Sequence, residues 1–473
     1  MGEPAPLGRP SRRAAHGYDY DVVVIGSGSG NTVLTNKFDN TWTAAIVEES
    51  TVFGGTCLNV GCIPTKMFVH PADLVEELRH AGRLGVDAHL DRVRWADMRD
   101  RIFGRIDAIS AGGRDWRLHG RPNVSLLEAH ATFLDPHTLR LSTGVTITAE
   151  QIVLATGSRA MIPAVVEASD VPFHTSDTIM RIDEVPRRLA ILGGGYIASE
   201  FAHIFAAFGA EVTMISRSKP LLRHLDTEIA ELFTAEVSER FDVRLDAQVS
   251  SMERDGAGVR LDLEDGSVVR ADLLLVATGR TPNSDKLDLQ HAGVRVHPDG
   301  RVVVDAHQRT STENIWALGD VCSEYKLKHV ANHEARVVMH NLRHPDDLIE
   351  ADHRFVPAAV FSRPQIATVG LTEEQARESG RRHVTAVLGY GSTAYGWALE
   401  DTTHICKLIA DPATGLLLGA HLIGEQASTL IQPIIQAMSF GLGAREMGRG
   451  QYWIHPALSE VVENALLHLP LDQ

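Results

Sequence analysis

An α/β fold used twice in succession, followed by a smaller α+β region, is what this 473-residue sequence predicts. Three observations carry the expectation. A buried apolar run closes on a glycine-rich turn at Gly26. The same arrangement returns at Gly193. From about Ala351 the chain changes to short apolar strands such as Leu416 to Ile423, preceded by Phe361-Ser362-Arg363-Pro364, which suggests an antiparallel sheet flanked by helices. A chain of this length exceeds a single hydrophobic core and points to about three domains.

In the first unit, Tyr20 to Ile25 reads as a buried parallel strand, and Gly26-Ser27-Gly28-Ser29-Gly30-Asn31 as the opening of a helix. Glycines let the backbone approach a pyrophosphate while the helix N-terminus supplies amide donors and positive dipole. Asn31 stands where the third glycine of a dinucleotide fingerprint belongs, so looser helix-to-strand packing is expected there. About twenty residues on, the strand Ala44-Ala45-Ile46-Val47 ends in Glu48, the acid expected on ribose hydroxyls. Its neighbour Glu49 is an alternative that the sequence leaves open.

In the second unit, Leu189 to Leu192 leads into Gly193-Gly194-Gly195-Tyr196-Ile197-Ala198-Ser199-Glu200, a fuller Rossmann fingerprint with Ala198 at the third small position. The next strand, Glu211 to Ser216, finishes not in an acid but at Arg217, with Arg223 six residues later. A glutamate there would repel a ribose 2′-phosphate, whereas two guanidiniums favour it through charge-assisted bonds. The expected coenzyme is NADPH.

Between the units, Gly54-Gly55-Thr56-Cys57-Leu58-Asn59-Val60-Gly61-Cys62-Ile63-Pro64-Thr65-Lys66 sets two cysteines five residues apart. In a regular helix such positions are separated by roughly 7.5 Å of rise and about 140°, whereas a disulfide needs Cα atoms roughly 4.4–6.8 Å apart. The helix must therefore bend, and Gly61 and Pro64 permit it. A strained, accessible disulfide is readily reduced, as a catalytic one should be. A zinc site would need a second ligand pair, and Cys322 and Cys406 stand alone. Two buried structural cysteines are the plainer alternative, and the glycines and Lys66 around the pair weigh against it.

The Gly-Gly-Thr-Cys to Lys frame resembles the active-site segment of the pyridine nucleotide:disulfide oxidoreductases, flavoenzymes related to glutathione reductase and dihydrolipoyl dehydrogenase. The resemblance spans the whole chain apart from its first residues. It implies FAD in the first unit, on Gly26, Gly28, Gly30, Asn31, Glu48, Gly55 and Thr56, with Ala155-Thr156-Gly157 closing its first half. Asn314-Ile315-Trp316-Ala317-Leu318-Gly319-Asp320 resembles the second flavin fingerprint, whose acid, here Asp320, binds the ribityl chain. Gly279, in Ala277-Thr278-Gly279-Arg280-Thr281-Pro282-Asn283, resembles the return from the NADPH domain. Tyr196 resembles the family's gate over the flavin, and Lys66 and Glu200 its ion pair beside the flavin.

The resemblance also implies roles for the redox residues. Cys62 lies against the flavin as the charge-transfer thiolate, and Cys57 attacks the substrate disulfide. Near the C-terminus, Pro456 favours an extended residue before it and suits a first helical position, which places His455 at a helix entrance with Glu460 five residues on. In the family such a histidine protonates the leaving thiolate and the glutamate orients its ring. It reaches the disulfide of the other subunit, so a homodimer with shared active sites is implied. Asn31, Leu327 to Arg336, Tyr395 to Asp401 and Gly450 to Leu458 look most like the mycothione-reducing branch, which implies mycothione as the small-molecule disulfide. Dihydrolipoyl dehydrogenase is the alternative, disfavoured by Arg217 and Arg223. A redox-silent flavin-binding interaction protein is a second, disfavoured by the intact Cys57, Cys62, His455 and Glu460.

The expected organisation is thus a tail at 1–16, disordered and carrying Arg9, Arg12 and Arg13; a Rossmann-like FAD-binding domain at 17–157 and 284–350; a Rossmann-like NADPH-binding domain at 158–283; and an α+β dimerisation domain at 351–473. The net charge of −16 argues against nucleic-acid or anionic-membrane partners. No apolar run approaches bilayer length. Four cysteines in so long a chain provide no disulfide framework and suggest a reducing cytoplasm. Cys322 and Cys406 are expected to be buried and inert.

Overall fold

In the computed structural model, residues 17–34 and 41–472 are described; the tail expected at 1–16 lies outside them. The chain forms two compact units. One gathers the described residues up to Thr65 with Ala96–Met161 and Gly279–His353; the other gathers Lys66–Trp95, Ile162–Thr278 and the chain from Arg354 onward.

The first unit is built on a seven-stranded sheet. Its apolar strand Tyr20–Ile25 is central, with Val22 paired in parallel to Ala44 on one side and to Gln151 on the other. Val22, Val23 and Val24 are fully buried, as expected for a strand covered on both faces. The strand Ala44–Glu48 continues in parallel to Val124–Glu128, and Thr146–Leu154 carries Ile315–Ala317 in parallel. The C-terminal ends of these strands therefore present Ile25, Glu48, Leu154 and Ala317 along one edge, where ligands of open α/β sheets collect. Ser158–Ala160 and Arg280–Pro282 pair antiparallel, so the chain leaves and re-enters this unit on adjacent strands.

The second unit holds three sheets. Arg188–Leu192 lies between Glu211–Ile215 and Leu273–Val276 in a four-stranded parallel sheet completed by Asp242–Arg244. Val249–Asp255, Gly258–Leu263 and Val268–Ala271 make an antiparallel sheet of three. The third is a five-stranded antiparallel sheet, in the order Pro357–Val360, Ile366–Gly370, Leu417–Ile423, Ile405–Ala410, Val384–Gly389. Leu408, Ala420 and Leu422 of this sheet pack with Ile434, Val461 and Val462 of the helices Gln432–Phe440 and Ser459–His468, the α+β arrangement expected after Ala351.

Two ionic clusters tie this unit together. The buried ammonium of Lys407 meets Asp226 at 2.9 Å, Glu228 at 3.2 Å and Glu373 at 2.8 Å. His404 is held by Asp401 at 2.6 Å and Glu236 at 3.1 Å. Burial alone would depress the His404 pKa, but the two carboxylates outweigh it and hold it at about 9.

Candidate active site

The segment of the cysteine pair breaks rather than bends. One helix runs Gly55–Asn59, Val60 leaves helical geometry at φ −143°, and a second helix runs Cys62–His80. Gly61 fits the gap because a Cβ there would lie 3.1 Å from the Thr56 carbonyl oxygen. Pro64 is the third residue of the second helix, where its missing N–H has no intrahelical partner to lose. Asn59 closes the first helix from below, donating to the carbonyls of Phe53 and Gly55 at 3.0 Å each.

Cys57 and Cys62 are free thiols, the first half-buried and the second exposed. The hydrogen bond between them sets their acidities apart. Donation from the Cys62 thiol, aided by the Lys328 ammonium, pulls Cys57 down to about 7 against the opposing effect of burial. The same bond pushes Cys62 up. The pair therefore loses its first proton near neutrality and its second far less readily, so that one thiolate is shared between the two sulfurs. The other two cysteines are buried; burial raises the Cys322 thiol and pushes Cys406 up to about 12, so both are inert thiols.

The glycine turn beside this pair is a cradle with no room for side chains. A Cβ on Gly26 would lie 2.3 Å from the Ala155 carbonyl oxygen, and one on Gly55 would lie 2.6 Å from the Gly28 Cα. The looser packing expected at Asn31 is not found. Gly30 takes over the close approach, with Val24 and Ala155 where a Cβ would point, and Asn31 is bound by Arg117, whose Nε donates to its side-chain oxygen at 2.7 Å. Ser29–Thr32 form a short 3-10 helix, and residues 35–40, over which the expected helix would continue, lie outside the described chain.

Glu48 and Glu49 separate cleanly. Glu48 faces the cradle and accepts the Ser27 and Ser50 amides at 2.8 and 2.9 Å. Glu49 instead meets His130 at 2.9 Å and Lys286 at 3.6 Å. Across the same edge, Asp320 accepts the Ser158 hydroxyl at 2.6 Å, with Arg280 3.9 Å away. The preceding Gly319, at φ +73°, donates its amide to the buried Glu334 carboxylate at 2.6 Å, and His353 pairs with that carboxylate at 3.0 Å. Lys328 donates to the Ser29 hydroxyl at 2.9 Å. Thr156 leaves a buried hydroxyl without a protein partner. A side-chain-free cradle, an acid at the second strand end, an orphaned hydroxyl and Asp320 together suit a bound dinucleotide such as FAD.

In the second unit, Gly193 is as constrained as Gly26, since its Cβ would meet the Ala277 carbonyl oxygen at 2.3 Å, while Gly195 faces open space. Tyr196 begins the helix Tyr196–Ala207, followed by the buried Ala198. Arg217 and Arg223 are exposed, and neither forms an ion pair among the described residues, which suits a phosphorylated coenzyme. Lys66 and Glu200 meet at Phe361: the Lys66 ammonium stands 4.2 Å from its ring centre, and its amide donates to Glu200 at 3.0 Å. Gly279 lies at φ +140° in the first unit, where its carbonyl accepts the Met161 amide at 2.9 Å.

His455 Nδ1 and Glu460 Oε1 are 2.8 Å apart, and Ala457 donates to the other carboxylate oxygen at 3.3 Å. Pro456 is not the first helical residue. It sits in a turn after a cis peptide bond, and the helix starts at Ser459. The ring of His455 is largely exposed, which leaves Nε2 free for an external partner.

Sequence reasoning missed Ser158, Arg117, Lys328, Glu334 and His224, which packs on Tyr196. Lys328 and Glu334 lie within the stretch Leu327 to Arg336, whose resemblance assigns neither a role; the others give no local signal. Among the described residues, no helix is long and apolar enough to cross a membrane.

Comparison with known proteins agrees with this geometry. Residues 20–335 match the family described as pyridine nucleotide-disulphide oxidoreductase, and residues 356–466 match its dimerisation domain. The chain is 54% identical over 459 residues to mycothione reductase of Mycobacterium tuberculosis, covering 95% of this chain and 99% of that protein. It is 33% identical to dihydrolipoyl dehydrogenase of Haloferax volcanii, covering 94% and 96% respectively. The structure superposes on the HOCl-induced flavoprotein disulfide reductase RclA of Escherichia coli with a TM-score of 0.84 at 28% identity, covering 95% of this chain and all of that one.

Proposed function

The chain belongs to the pyridine nucleotide-disulphide oxidoreductase family, and from that premise we propose that it uses NADPH to reduce mycothione to mycothiol. Family membership makes it a flavin disulfide reductase that works with FAD and a pyridine nucleotide and carries the family's dimerisation domain. The observation that carries the chemistry is the Cys57–Cys62 pair, with Cys57 at about 7, beside a dinucleotide cradle. The substrate rests on the 54% identity to a mycothione reductase.

We read residues 17–157 and 284–350 as the FAD domain, 158–283 as the NADPH domain and 351–473 as the dimerisation domain, in a cytoplasmic homodimer acting on a small molecule and not on nucleic acid. Gly26, Gly28, Gly30, Gly55 and Thr56 would hold the pyrophosphate region of FAD, Glu48 its ribose, and Asp320 the ribityl chain. Gly193, Gly195 and Ala198 would admit the NADPH pyrophosphate, and Arg217 and Arg223 its 2′-phosphate. Tyr196 covers the nicotinamide site, and Lys66 and Glu200 set the charge beside the flavin.

FAD, held by the glycine turn, Glu48 and Asp320, would supply the electron pair, taken from NADPH, that opens the Cys57–Cys62 disulfide. The Cys57 thiolate then attacks one sulfur of the substrate, forming a mixed disulfide and releasing one thiol. Cys62 attacks Cys57 in turn, which releases the second thiol and restores the intramolecular disulfide. His455 delivers the proton to the leaving sulfur from Nε2 while Glu460 holds Nδ1, and the histidine comes from the partner subunit of a shared site.

Mycothione is a bulky, sugar-containing disulfide without the free carboxylates of glutathione. Glutathione disulfide should bind poorly because its carboxylates would lose water without compensating partners. NADPH oxidation with mycothione, glutathione disulfide and lipoamide at matched concentrations tests the proposal. Mycothione should turn over best; a better rate with either of the others would overturn the substrate and leave the disulfide chemistry standing.

A further inference from the structure

The loop after the strand Glu211–Ile215 is clamped onto the glycine turn of the second unit. Leu222 adopts φ +53°, a left-handed conformation in which a bulky side chain is an outlier, and its amide donates to the Gly194 carbonyl at 2.8 Å. The clamp is tight: a Cβ on Gly194 would lie 2.5 Å from the Ser216 hydroxyl and 2.9 Å from Leu221 Cδ2. The next two side chains, Arg223 and His224, are both exposed, and the His224 ring packs 4.9 Å from the ring of Tyr196, tilted by 50°.

We propose that His224 is a specificity-determining residue, a latch on Tyr196 that is released when Arg223 engages the 2′-phosphate of the coenzyme. The inference deepens the reading of Tyr196 as the cover of the nicotinamide site and of Arg217 and Arg223 as phosphate readers, and rests on it. Desolvation, and then the Arg223 guanidinium, hold the His224 imidazole below its ordinary pKa, so it is neutral and packs on the phenol ring while Arg223 is unoccupied. A phosphate on Arg223 reverses the local sign of charge. It favours the imidazolium and draws it away from Tyr196. Coenzyme choice is then made twice, once in affinity and once in whether the nicotinamide site opens. A coenzyme lacking the 2′-phosphate meets a closed ring even when bound.

Splitting the coenzyme separates these two effects. Reduced nicotinamide mononucleotide serves as hydride donor to the purified holoenzyme, with adenosine 2′,5′-bisphosphate or 5′-AMP added, and flavin reduction is followed by stopped flow. The bisphosphate should accelerate reduction at least about fivefold, the low end of ordinary coupling between two ligands, and 5′-AMP should not. Tyr196 nitration by tetranitromethane, mapped by peptide mass, should rise with the bisphosphate alone. His224→Ala should react quickly and be nitrated readily without it. His224→Phe, which keeps a ring but cannot be protonated, should stay slow with it. A wild-type enzyme that prefers NADPH yet shows neither acceleration nor added nitration overturns the latch and leaves the arginine reading intact. Acceleration that survives in His224→Phe overturns the role of the imidazole. A wild-type enzyme without NADPH preference removes the reading on which the latch rests.

Discussion

The carboxylate of Glu334 accepts the backbone amide of Gly319 at 2.6 Å from a position only 1% exposed to solvent. That bond fixes the turn from which Asp320 reaches the ligand edge. A hydrogen bond to a charged acceptor contributes about 1.5–3 kcal/mol. Glu334→Ala should therefore weaken the hold on FAD by roughly tenfold to a hundredfold, whereas Glu334→Gln, which keeps an acceptor, should retain most of it. Flavin release followed by fluorescence gives the answer, and unchanged release in Glu334→Ala would detach this carboxylate from the cofactor.

The acidity of Cys57 has a direct signature. Below about pH 7 the reduced pair holds its proton and is unreactive; above it the pair carries one thiolate. Iodoacetamide should alkylate Cys57 with a midpoint near 7, and Cys62→Ala, which removes the main stabilising donor, should move the midpoint up towards that of an ordinary thiol. Cys57→Ser should keep NADPH-driven flavin reduction and lose disulfide turnover. Measuring the two half-reactions separately distinguishes these effects.

Replacing both Arg217 and Arg223 by alanine should lower the NADPH to NADH ratio of kcat/KM by at least about a hundredfold, from two charge-assisted contacts of about 1.5–3 kcal/mol each. Steady-state kinetics with both coenzymes suffices. An unchanged ratio would mean that neither guanidinium reads the phosphate.

The proposed sharing of the site across the dimer makes an arithmetic prediction. A heterodimer of one Cys57→Ser subunit and one His455→Ala subunit should contain one intact site and show about half the wild-type activity. Separating differently tagged subunits after co-expression allows the assay, and an inactive heterodimer would place Cys57 and His455 of one subunit together.

His404 makes stability depend on pH. Its folded pKa of about 9 lies above the ordinary imidazole value, so its contribution is complete below about pH 6.5 and is lost as pH rises through 9. The shift corresponds to something on the order of 3 kcal/mol. His404→Gln should flatten the decline in thermal stability between pH 6.5 and 9, measurable by calorimetry; a decline identical to wild type would exclude His404 as its source.

What the sequence made legible was set by local spacing: the two glycine turns, the cysteine pair, and His455 with Glu460. Partners chosen by tertiary packing were not. Asn31 and Arg117 lie 86 residues apart, and Ser158 and Asp320 lie 162 apart, and no periodicity links such pairs. Glu48 and Glu49 are neighbours whose roles follow only from which side of the sheet edge each carboxylate faces. Gly61 and Pro64 announced a distortion, but the choice between a bend and a break fell to Val60. At Pro456 the rule for helix starts was right about a boundary and misplaced it by three residues, because a turn intervenes before Ser459.

Gly28 and Gly55 touch backbone to backbone, so the redox segment and the cradle are parts of one casting rather than two modules. Neither can be redesigned alone. A chimera that imports a cysteine segment from a relative must keep a glycine at position 55, because a methyl group there would lie 2.6 Å from the Gly28 Cα and push the thiols away from the cradle. For engineers seeking new disulfide substrates, the freedom lies elsewhere, on the exposed side of Cys57, and this seam is best left as a matched pair.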